Sequence, residues 1–259
     1  MSSMEGIPLP DTALPAGISR VVFWTEMLSP HLMPYARVLA SRAGVNVQVV
    51  AYQEMRVDRL RLGWTAPNLG PAEIVMRPDL NGIRRLTSTS ASASVHILYG
   101  IGGWPLSRVI ARELHRSKAR FGVVSESAMR SDYLQPLRYV AHRLDRLRWG
   151  HAAGFVLGLG RRGVRWFEAL GYPAKSLFEF GYITDPIPDV TYEMPVPGAV
   201  QLLYVGRIMK GKGLGLLLRT LAQCKDLNWR LTVVGSGSFE SEFKRLATVL
   251  GVADRKSVV

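Results

Sequence analysis

The sequence predicts an α/β fold with parallel, doubly wound sheets, and three observations support this prediction. Short apolar runs alternate with segments of helical period from residue 20 onwards. The runs are almost continuously apolar, which is typical of strands buried on both faces of a parallel sheet. A proline-rich stretch at 183–199 interrupts this pattern once, and the pattern then restarts. We therefore predict two Rossmann-like domains within the 259 residues.

Seven strands are predicted before the proline-rich stretch. They are VVFW (21–24), VNVQVVAY (45–52), EIVMR (73–77), SVHILYG (94–100), RFGVV (120–124), AGFVLG (153–158) and SLFEFGY (176–182). Apolar residues three and four positions apart indicate the helices between them. These stripes are Leu32, Tyr35, Ala36, Leu39 and Ala43; Leu106, Val109, Ile110 and Leu114; Leu137, Val140, Ala141, Leu144 and Leu147; and RRGVRWFEALG (161–171). The stretch 53–90 is rich in Arg, Pro, Gly and Ser and predicts only the strand at 73–77.

The second domain is predicted to begin at residue 200. Its strands are QLLYV (201–205) and RLTVV (230–234), and its helical stripes are Leu214, Leu217, Leu218, Leu221 and Ala222, and Phe239, Phe243, Leu246, Ala247 and Leu250. Two strand-helix units are fewer than the five or six strands of an average sheet. We therefore expect this domain to be incomplete. The predicted division is an N-terminal tail (1–19), a first domain (20–182), a linker (183–199) and a partial second domain (200–259).

The last residues of the sequence add a second reason to expect an incomplete domain. A further strand is due after GVADR (251–255), where the sequence has only KSVV. The stretch DRKSVV (254–259) is also what a common sequencing-adapter sequence encodes. We expect the native reading frame to continue past this point.

The composition is that of a globular protein, with 47% hydrophobic and 20% charged residues. The first twenty residues lack the apolar core of a signal peptide, and no segment approaches the roughly eighteen apolar residues of a membrane-spanning helix. The single cysteine, Cys224, lies in a leucine-rich helical stretch and is expected to be a buried thiol. We expect a cytoplasmic protein.

The charge is strongly positive, with 33 basic and 20 acidic residues and a net charge of +13. Between residues 138 and 165 a single acid, Asp145, stands among seven arginines: Arg138, Arg143, Arg146, Arg148, Arg161, Arg162 and Arg165. Such a patch could face an anionic membrane, a phosphorylated substrate or nucleic acid, or could be a solvated helix face. No zinc-finger spacing, RNP-type motif or basic region leading into heptads is present, so nucleic acid is not expected.

YVGRIMKGKG (204–213) joins a predicted strand to a predicted helix and is similar to a phosphate-binding loop. A P-loop would need Ser or Thr at Gly213 to hold magnesium, and an acid where the next strand ends in Gly235. What remains is a glycine turn, a helix N-terminus and the cations Arg207 and Lys212. These features suit a diphosphate without a metal, although such turns also occur without any ligand. A second turn, Gly235-Ser236-Gly237, opens at the same sheet edge, but Glu240 replaces the third glycine of a dinucleotide fingerprint.

LLYVGRIMKGKGLGLLLRTLAQCKDLNWRLTVVGSGSFESEFKRLATVLGVADR (202–255) resembles the donor-binding domain of retaining glycosyltransferases of family 4, the group 1 glycosyltransferases. VVFWTEMLSPHLMPYARVLA (21–40), YGIGGWPLSRVIARELHRSKARFGVVSES (99–127) and EALGYPAKSLFEFGYITD (168–185) resemble their acceptor domain more loosely. The resemblance implies a GT-B fold and transfer of a sugar from a nucleotide-sugar donor with retention of configuration, generally without a metal. It also implies further strands and a pair of glutamates that do not appear before residue 259. The donor-binding residues that we assign are Gly206, Arg207, Lys212, Gly213, Gly235 and Gly237.

The acceptor side should use the loops at the carboxyl ends of the first domain's strands. His31 and Glu126 are the candidate catalytic residues there, with helix capping as the alternative for both and plain surface exposure as a further alternative for His31. Gly102, Gly103 and Trp104 are the acceptor-side candidates, with packing at a helix start as the alternative for Trp104. His96 lies within a predicted strand, unlike the loop histidine frequent in the resembled family, so no catalytic histidine is transferred to it.

The sequence therefore predicts a fragment of a retaining glycosyltransferase of hexosyltransferase type that acts in polysaccharide biosynthesis. Sugar transfer is expected of the full-length form and not of these 259 residues alone. The expected partners are a nucleotide-sugar donor and a glycan or lipid-linked acceptor, with neither cofactor nor metal. Peripheral association with the inner face of a membrane is expected through the arginine patch at 138–165. The alternative is a non-catalytic module that keeps acceptor-side binding and acts through a partner.

Overall fold

A computed structural model of the chain describes residues 16–31, 33–42, 44–60, 63–128, 134–185 and 198–259. Most of the expected N-terminal tail and linker, and Leu32 and Ala43 of the first helical stripe, lie outside these ranges. The chain divides into two compact units, Met1–Pro186 and Ile187–Val259. Each unit contains its own parallel sheet.

The first unit is built on a seven-stranded parallel sheet. Its strands are β1 (Arg20–Met27), β2 (Asn46–Gln53), β3 (Glu73–Met76), β4 (Ser94–Tyr99), β5 (Arg120–Ser125), β6 (Phe155–Leu159) and β7 (Leu177–Phe180). They lie in the order β3-β2-β1-β4-β5-β6-β7, and every neighbouring pair is parallel. The order reverses between β1 and β4, and ligands of doubly wound folds bind outside the carboxyl ends of strands at such a point. The predicted α/β class is confirmed.

Helices cover both faces of this sheet. They are α1 (Met33–Ala40), α2 (Val57–Leu60), α3 (Leu80–Ser88), α4 (Ser107–Arg116), α5 (Gln135–Arg148) and α6 (Gly160–Ala169). Alternate residues of β1 enter opposite cores, since Phe23 packs with Ala36 of α1, and Trp24 packs with Leu114 of α4 and Trp166 of α6. Complete burial of a side chain of this size stabilises the fold by about 1.5–3 kcal/mol.

Helix α3 lies in the stretch 53–90, where the sequence predicts only one strand. Asp79 caps this helix, because its Oδ1 accepts a hydrogen bond from the Gly82 N–H. Only Gly82, Ile83 and Thr87 of its nine residues are buried, so its sequence shows little apolar period. At its other end the buried guanidinium of Arg20 donates to the carbonyl oxygens of Leu86 and Thr89, each at 3.0 Å.

Helix α5 is confirmed, but its apolar stripe faces solvent. Leu137, Val140, Leu144 and Leu147 are between 45% and 67% exposed. Asp145, in contrast, is only 5% exposed and accepts hydrogen bonds from Arg108 Nε at 2.8 Å and Nη2 at 2.9 Å. The helix therefore packs through a polar side and presents an apolar side to water, the reverse of a usual amphipathic helix.

The second unit contains a three-stranded parallel sheet of order β10-β9-β8. Its elements are β8 (Val200–Val205), α7 (Leu214–Gln223), β9 (Trp229–Val234), α8 (Glu240–Val249) and β10 (Lys256–Val258). Our count of two strands is therefore wrong, because KSV pairs in parallel with Leu231–Val233 of β9. Both helices contribute to one core, in which Leu218 of α7 and Phe243 of α8 are completely buried.

Candidate functional site

Two strand-to-helix turns of the second unit are hydrogen bonded to each other at the carboxyl edge of its sheet. In the turn after β8, the Gly206 N–H donates a hydrogen bond to Val234 O (3.0 Å) and the Ile208 N–H donates one to Ser236 O (2.9 Å). In the turn after β9, the Phe239 N–H donates a hydrogen bond to Ile208 O at 3.0 Å. These bonds fix the backbone of both turns, so the edge presents one rigid surface.

Gly235 and Gly237 have a structural reason to be glycine. A side-chain carbon at Gly235 would lie 2.2 Å from the carbonyl oxygen of Gly206, and one at Gly237 would lie 2.2 Å from that of Ile208. Gly235 also has a φ of 140°, which other residues rarely adopt. The sequence assigns both glycines to donor binding, and the structure shows that they allow the two turns to touch.

The turn after β8 carries three exposed cations: Arg207, Lys210 and Lys212. No ion pair of their side chains is present within the described ranges, and the first turn of α7 contains no acid. Gly213 is the N-cap of α7 with a φ of 81°, and open space surrounds the position of its absent side chain. The turn thus combines positive charge with the positive end of a helix, and it can bind an anion. Our sequence analysis did not include Lys210, which the short 3₁₀ helix Lys210–Lys212 adds to the turn.

In the first unit, the structure brings His31 and Glu126 together around a tyrosine. His31 follows β1, Glu126 follows β5, and Tyr182 follows β7. The Tyr182 hydroxyl donates to Glu126 Oε1, and the Tyr182 and His31 rings lie 5.8 Å apart. The sequence places Tyr182 in a strand, but β7 ends at Phe180, so Tyr182 belongs to the loop beyond the strand.

Trp64 is the second aromatic residue of this group. Its ring lies 4.8 Å from the His31 ring in an edge-to-face arrangement, and the Arg59 guanidinium lies 4.8 Å from its centre. We define the acceptor-edge cluster as His31, Trp64, Glu126 and Tyr182. Sequence reasoning did not assign Trp64 or Tyr182 to the site, because Trp64 lies in the irregular stretch 53–90 and Tyr182 was placed at the end of a strand.

The loop that carries Tyr182 is held against α1. Tyr35 donates its hydroxyl to the carbonyl oxygen of Gly181, and Arg37 forms an ion pair with Asp185. The hydrogen bond from Arg37 lowers the pKa of Asp185. Burial, together with the hydrogen bond to Glu126 and its negative charge, raises the pKa of Tyr182 above its ordinary value. Its phenol is therefore a hydrogen-bond donor at neutral pH.

The glycine turn after β4 has its own internal contacts. A side-chain carbon at Gly102, whose φ is 82°, would lie 2.7 Å from Arg108 Nη2 and from Asp145 Oδ2. The Trp104 indole N–H donates to Tyr99 O at 2.7 Å, and the indole ring packs against the core. Gly103 is exposed, with open space where a side chain would be. Of these three acceptor-side candidates, Gly103 leaves its backbone open to a ligand.

His96 lies in the core of the first unit rather than at its edge. Its Nδ1 accepts a hydrogen bond from the Trp24 indole N–H at 3.1 Å, and burial lowers the pKa of His96 to about 3. A residue completely enclosed in this way cannot touch a substrate.

None of the helices within the described ranges is long and apolar enough to span a membrane.

No protein-family model matches this chain, and no curated protein matches it by sequence. Solved structures do match it. The apo form of the lipopolysaccharide outer core galactosyltransferase WaaB is 14% identical, with a TM-score of 0.61 over 92% of this chain and 67% of that one. Anabaena Alr3699/HepE in complex with UDP is 13% identical, with a TM-score of 0.62 over 93% of this chain and 68% of that one.

An enzyme of another activity has a similar structure. A putative UDP-N-acetylglucosamine 2-epimerase from Listeria monocytogenes is 13% identical, with a TM-score of 0.54 over 93% of this chain and 69% of that one. Identities this low establish a fold and leave activity open. The chain has the α/β architecture of the GT-B fold.

Proposed function

We propose that this protein is a retaining glycosyltransferase of the family 4 type, which transfers a hexosyl group from a nucleotide-sugar to a glycan or lipid-linked glycan in the cytoplasm. The observation that carries the proposal is the cationic turn at the start of α7, in which Arg207, Lys210 and Lys212 have no acidic partner within the described ranges. The fold supports it, because WaaB is named as a galactosyltransferase and HepE structures hold UDP or UDP-glucose.

The turn suits the leaving group of such a reaction. When the bond between the sugar's anomeric carbon and the diphosphate breaks, negative charge develops on the diphosphate. The three cations and the N–H groups of the first turn of α7 would stabilise that charge, and each well-placed donor contributes roughly 3 kcal/mol to such a transition state. Because fixed cations supply the positive charge, we propose that no divalent metal is needed.

The acceptor-edge cluster suits a sugar. The exposed faces of aromatic residues pack against the apolar faces of sugar rings, while Glu126 can accept a hydrogen bond from a sugar hydroxyl. Tyr182 orients this carboxylate through its own hydroxyl. We assign Glu126 and His31 to acceptor binding and proton transfer, with Trp64 and Tyr182 as the supporting aromatic residues.

A binding titration in the presence of EDTA tests the donor site. UDP should bind the purified protein, and Arg207→Met or Lys212→Met should each weaken binding by about 10- to 100-fold, as expected for loss of a charge-assisted contact. Lys225→Met is the matched control, since it removes an exposed lysine outside the turn. Equal affinity in all four proteins, or binding only when metal is added, would contradict the proposed site.

Turnover by the full-length protein separates the enzyme from the non-catalytic alternative. A panel of UDP-hexoses with glycan and lipid-linked acceptors should give a product whose anomeric configuration, read by NMR, matches that of the donor. A product of opposite configuration would exclude the retaining mechanism. Binding of UDP without turnover of any donor would favour the non-catalytic module.

A further inference from the structure

The acceptor-edge cluster adjoins an arginine that the proposed function does not use. Arg59 lies in α2, and its guanidinium carbon lies 4.8 Å from the centre of the Trp64 ring. The Trp64 ring contacts the His31 ring edge-to-face at 4.8 Å, and the His31 ring contacts that of Tyr182. The guanidinium is therefore connected to the cluster through a series of ring contacts.

The turn after α2 places the Arg59 side chain on the indole. The Gly63 N–H donates to Leu60 O at 3.0 Å, and the Trp64 N–H donates to Arg59 O at 3.1 Å. Gly63 has a φ of 79°, which other residues rarely adopt. These features are those of a Schellman motif, in which the residue after the left-handed glycine packs against the last turn of the helix. The attraction between a cation and an indole face adds to this contact.

The charge of Arg59 has no acidic partner in the part of the chain that the structure describes. No described carboxylate lies within ion-pair distance of its guanidinium, and its buried Nε has no hydrogen-bond partner. The other groups near the cluster are paired, since Arg37 forms an ion pair with Asp185. Glu126 accepts a hydrogen bond from Tyr182. Arg59 is therefore a cation that is held in place and available to an anion.

We propose that Arg59 selects an acidic acceptor, that is, a sugar that carries a carboxylate or a phosphate group. The inference rests on the proposed function, because it concerns the acceptor of the same reaction. A guanidinium suits this role, since its planar set of donors matches two oxygens of a carboxylate or phosphate. Contact with the Trp64 ring restricts the orientation of the guanidinium, so less conformational entropy is lost when the anion binds.

The rest of the cluster provides for the neutral part of such a ligand. The Trp64 and Tyr182 rings suit the apolar face of a sugar, and Glu126 can accept a hydrogen bond from a hydroxyl. Arg59 lies against the same indole, where it can meet a charged substituent of that sugar or of the next one. If Arg59 served only to hold Trp64, its loss would weaken the binding of neutral and charged sugars alike. A contact with the anion affects charged sugars alone.

Titration of the purified chain with three probes tests the proposal. Methyl glucoside is neutral, methyl glucuronide carries a carboxylate, and glucose 1-phosphate carries a phosphate. The indole N–H signal of Trp64 in ¹⁵N-labelled protein, assigned through Trp64→Phe, reports the surroundings of this ring, so anions at the turn after β8 are not counted. We expect one of the charged probes to bind about tenfold more tightly than methyl glucoside, and added salt should reduce this preference. The preferred probe distinguishes a sugar acid from a sugar phosphate.

Variants of Arg59 separate charge from packing. Arg59→Met should weaken the preferred charged probe about tenfold and leave methyl glucoside unchanged, because methionine keeps an apolar side chain on the indole. Arg59→Lys keeps the charge and should restore part of the preference. Arg85→Met is the matched control, since Arg85 is an exposed arginine of α3 with no ion pair within the described ranges. It should bind all three probes as the parent does, and equal urea midpoints will show that the variants are folded.

Three outcomes would overturn the proposal. The parent could show no preference for either charged probe, which includes binding none of the three. Arg59→Met could weaken neutral and charged probes equally, which would make Arg59 only a support for Trp64. The preference could also persist in Arg59→Met. UDP affinity is measured separately in each protein, so loss of UDP binding would contradict the donor site, whereas loss of the charge preference alone would contradict this inference.

Discussion

Arg108 on α4 donates two hydrogen bonds, of 2.8 and 2.9 Å, to the carboxylate of Asp145 on α5. The carboxylate is buried, whereas the guanidinium remains half exposed. Two parallel hydrogen bonds between a guanidinium and a carboxylate are stronger than a single hydrogen bond, and they fix the orientation of the two groups as well as their distance. The pair therefore determines which side of α5 faces inward.

Asp145→Ala should lower the free energy of unfolding by about 2–3 kcal/mol, because a buried partner is lost while the half-exposed guanidinium can regain water. Urea denaturation measures this difference. Glu240→Ala is the control, since it removes an exposed pair with Lys244 four residues away and should cost about 0.5 kcal/mol. Equal effects of the two changes would show that the Arg108 contact does not anchor the helix.

Gly235→Ala should destabilise the second unit by about 2 kcal/mol or more, since a methyl group would meet the carbonyl oxygen of Gly206 at 2.2 Å. Hydrogen exchange of residues 198–259 will detect the loss. Gly211→Ala, where nothing lies within 4 Å of the new carbon, should change stability by less than about 0.5 kcal/mol. Unchanged protection in Gly235→Ala would mean that the two turns are not in contact.

The buried His96 should make stability fall in acid. Its folded pKa of about 3 lies below the ordinary histidine value of 6.5. The unfolded chain therefore binds one more proton than the folded chain at pH values between the two, and the folded state loses stability as the pH falls through 6.5. Protonation of His96 alone should lower the free energy of unfolding by about 2 kcal/mol between pH 7.5 and pH 5. His96→Gln keeps an acceptor for the Trp24 indole and should show a correspondingly flatter dependence in urea titrations. Parallel curves for the two proteins would refute the assignment.

Glu126→Gln should lower the pKa of Tyr182, because the negative charge beside the phenol is removed. The value should stay above that of a free tyrosine, since burial is the larger cause of the shift. NMR of ¹³C-labelled tyrosine measures it in alkaline titration. Glu179→Gln, which removes an exposed carboxylate from β7, should leave the Tyr182 titration unchanged. If Glu126→Gln also leaves it unchanged, the two side chains are not hydrogen bonded in solution.

The sheets were the most predictable part of this protein. All nine predicted strands are present, because parallel strands buried on both faces appear as short apolar runs. Helix α3 was missed since only three of its residues are buried. The stripe of α5 correctly predicted a helix, but helical period cannot tell which side faces the core. That side is set by Arg108, which is distant in sequence.

The candidate sites were predictable only where local sequence defines them. The turn at 206–213 is a contiguous motif, so Arg207 and Lys212 could be named from spacing. The acceptor-edge cluster joins residues from loops after three different strands and from the irregular stretch that contains Trp64. Their proximity is a product of the strand order, which no local pattern encodes.

The contact between the Gly206 and Gly235 turns also constrains how this protein can evolve. The turn after β8 fills the space that a larger residue at Gly235 or Gly237 would need. An insertion in one turn would have to be matched by a change in its neighbour, so the two segments should vary together among related proteins. The sequence would then diversify at the exposed side chains Arg207, Lys210 and Lys212, while the lengths of the two turns stay constant.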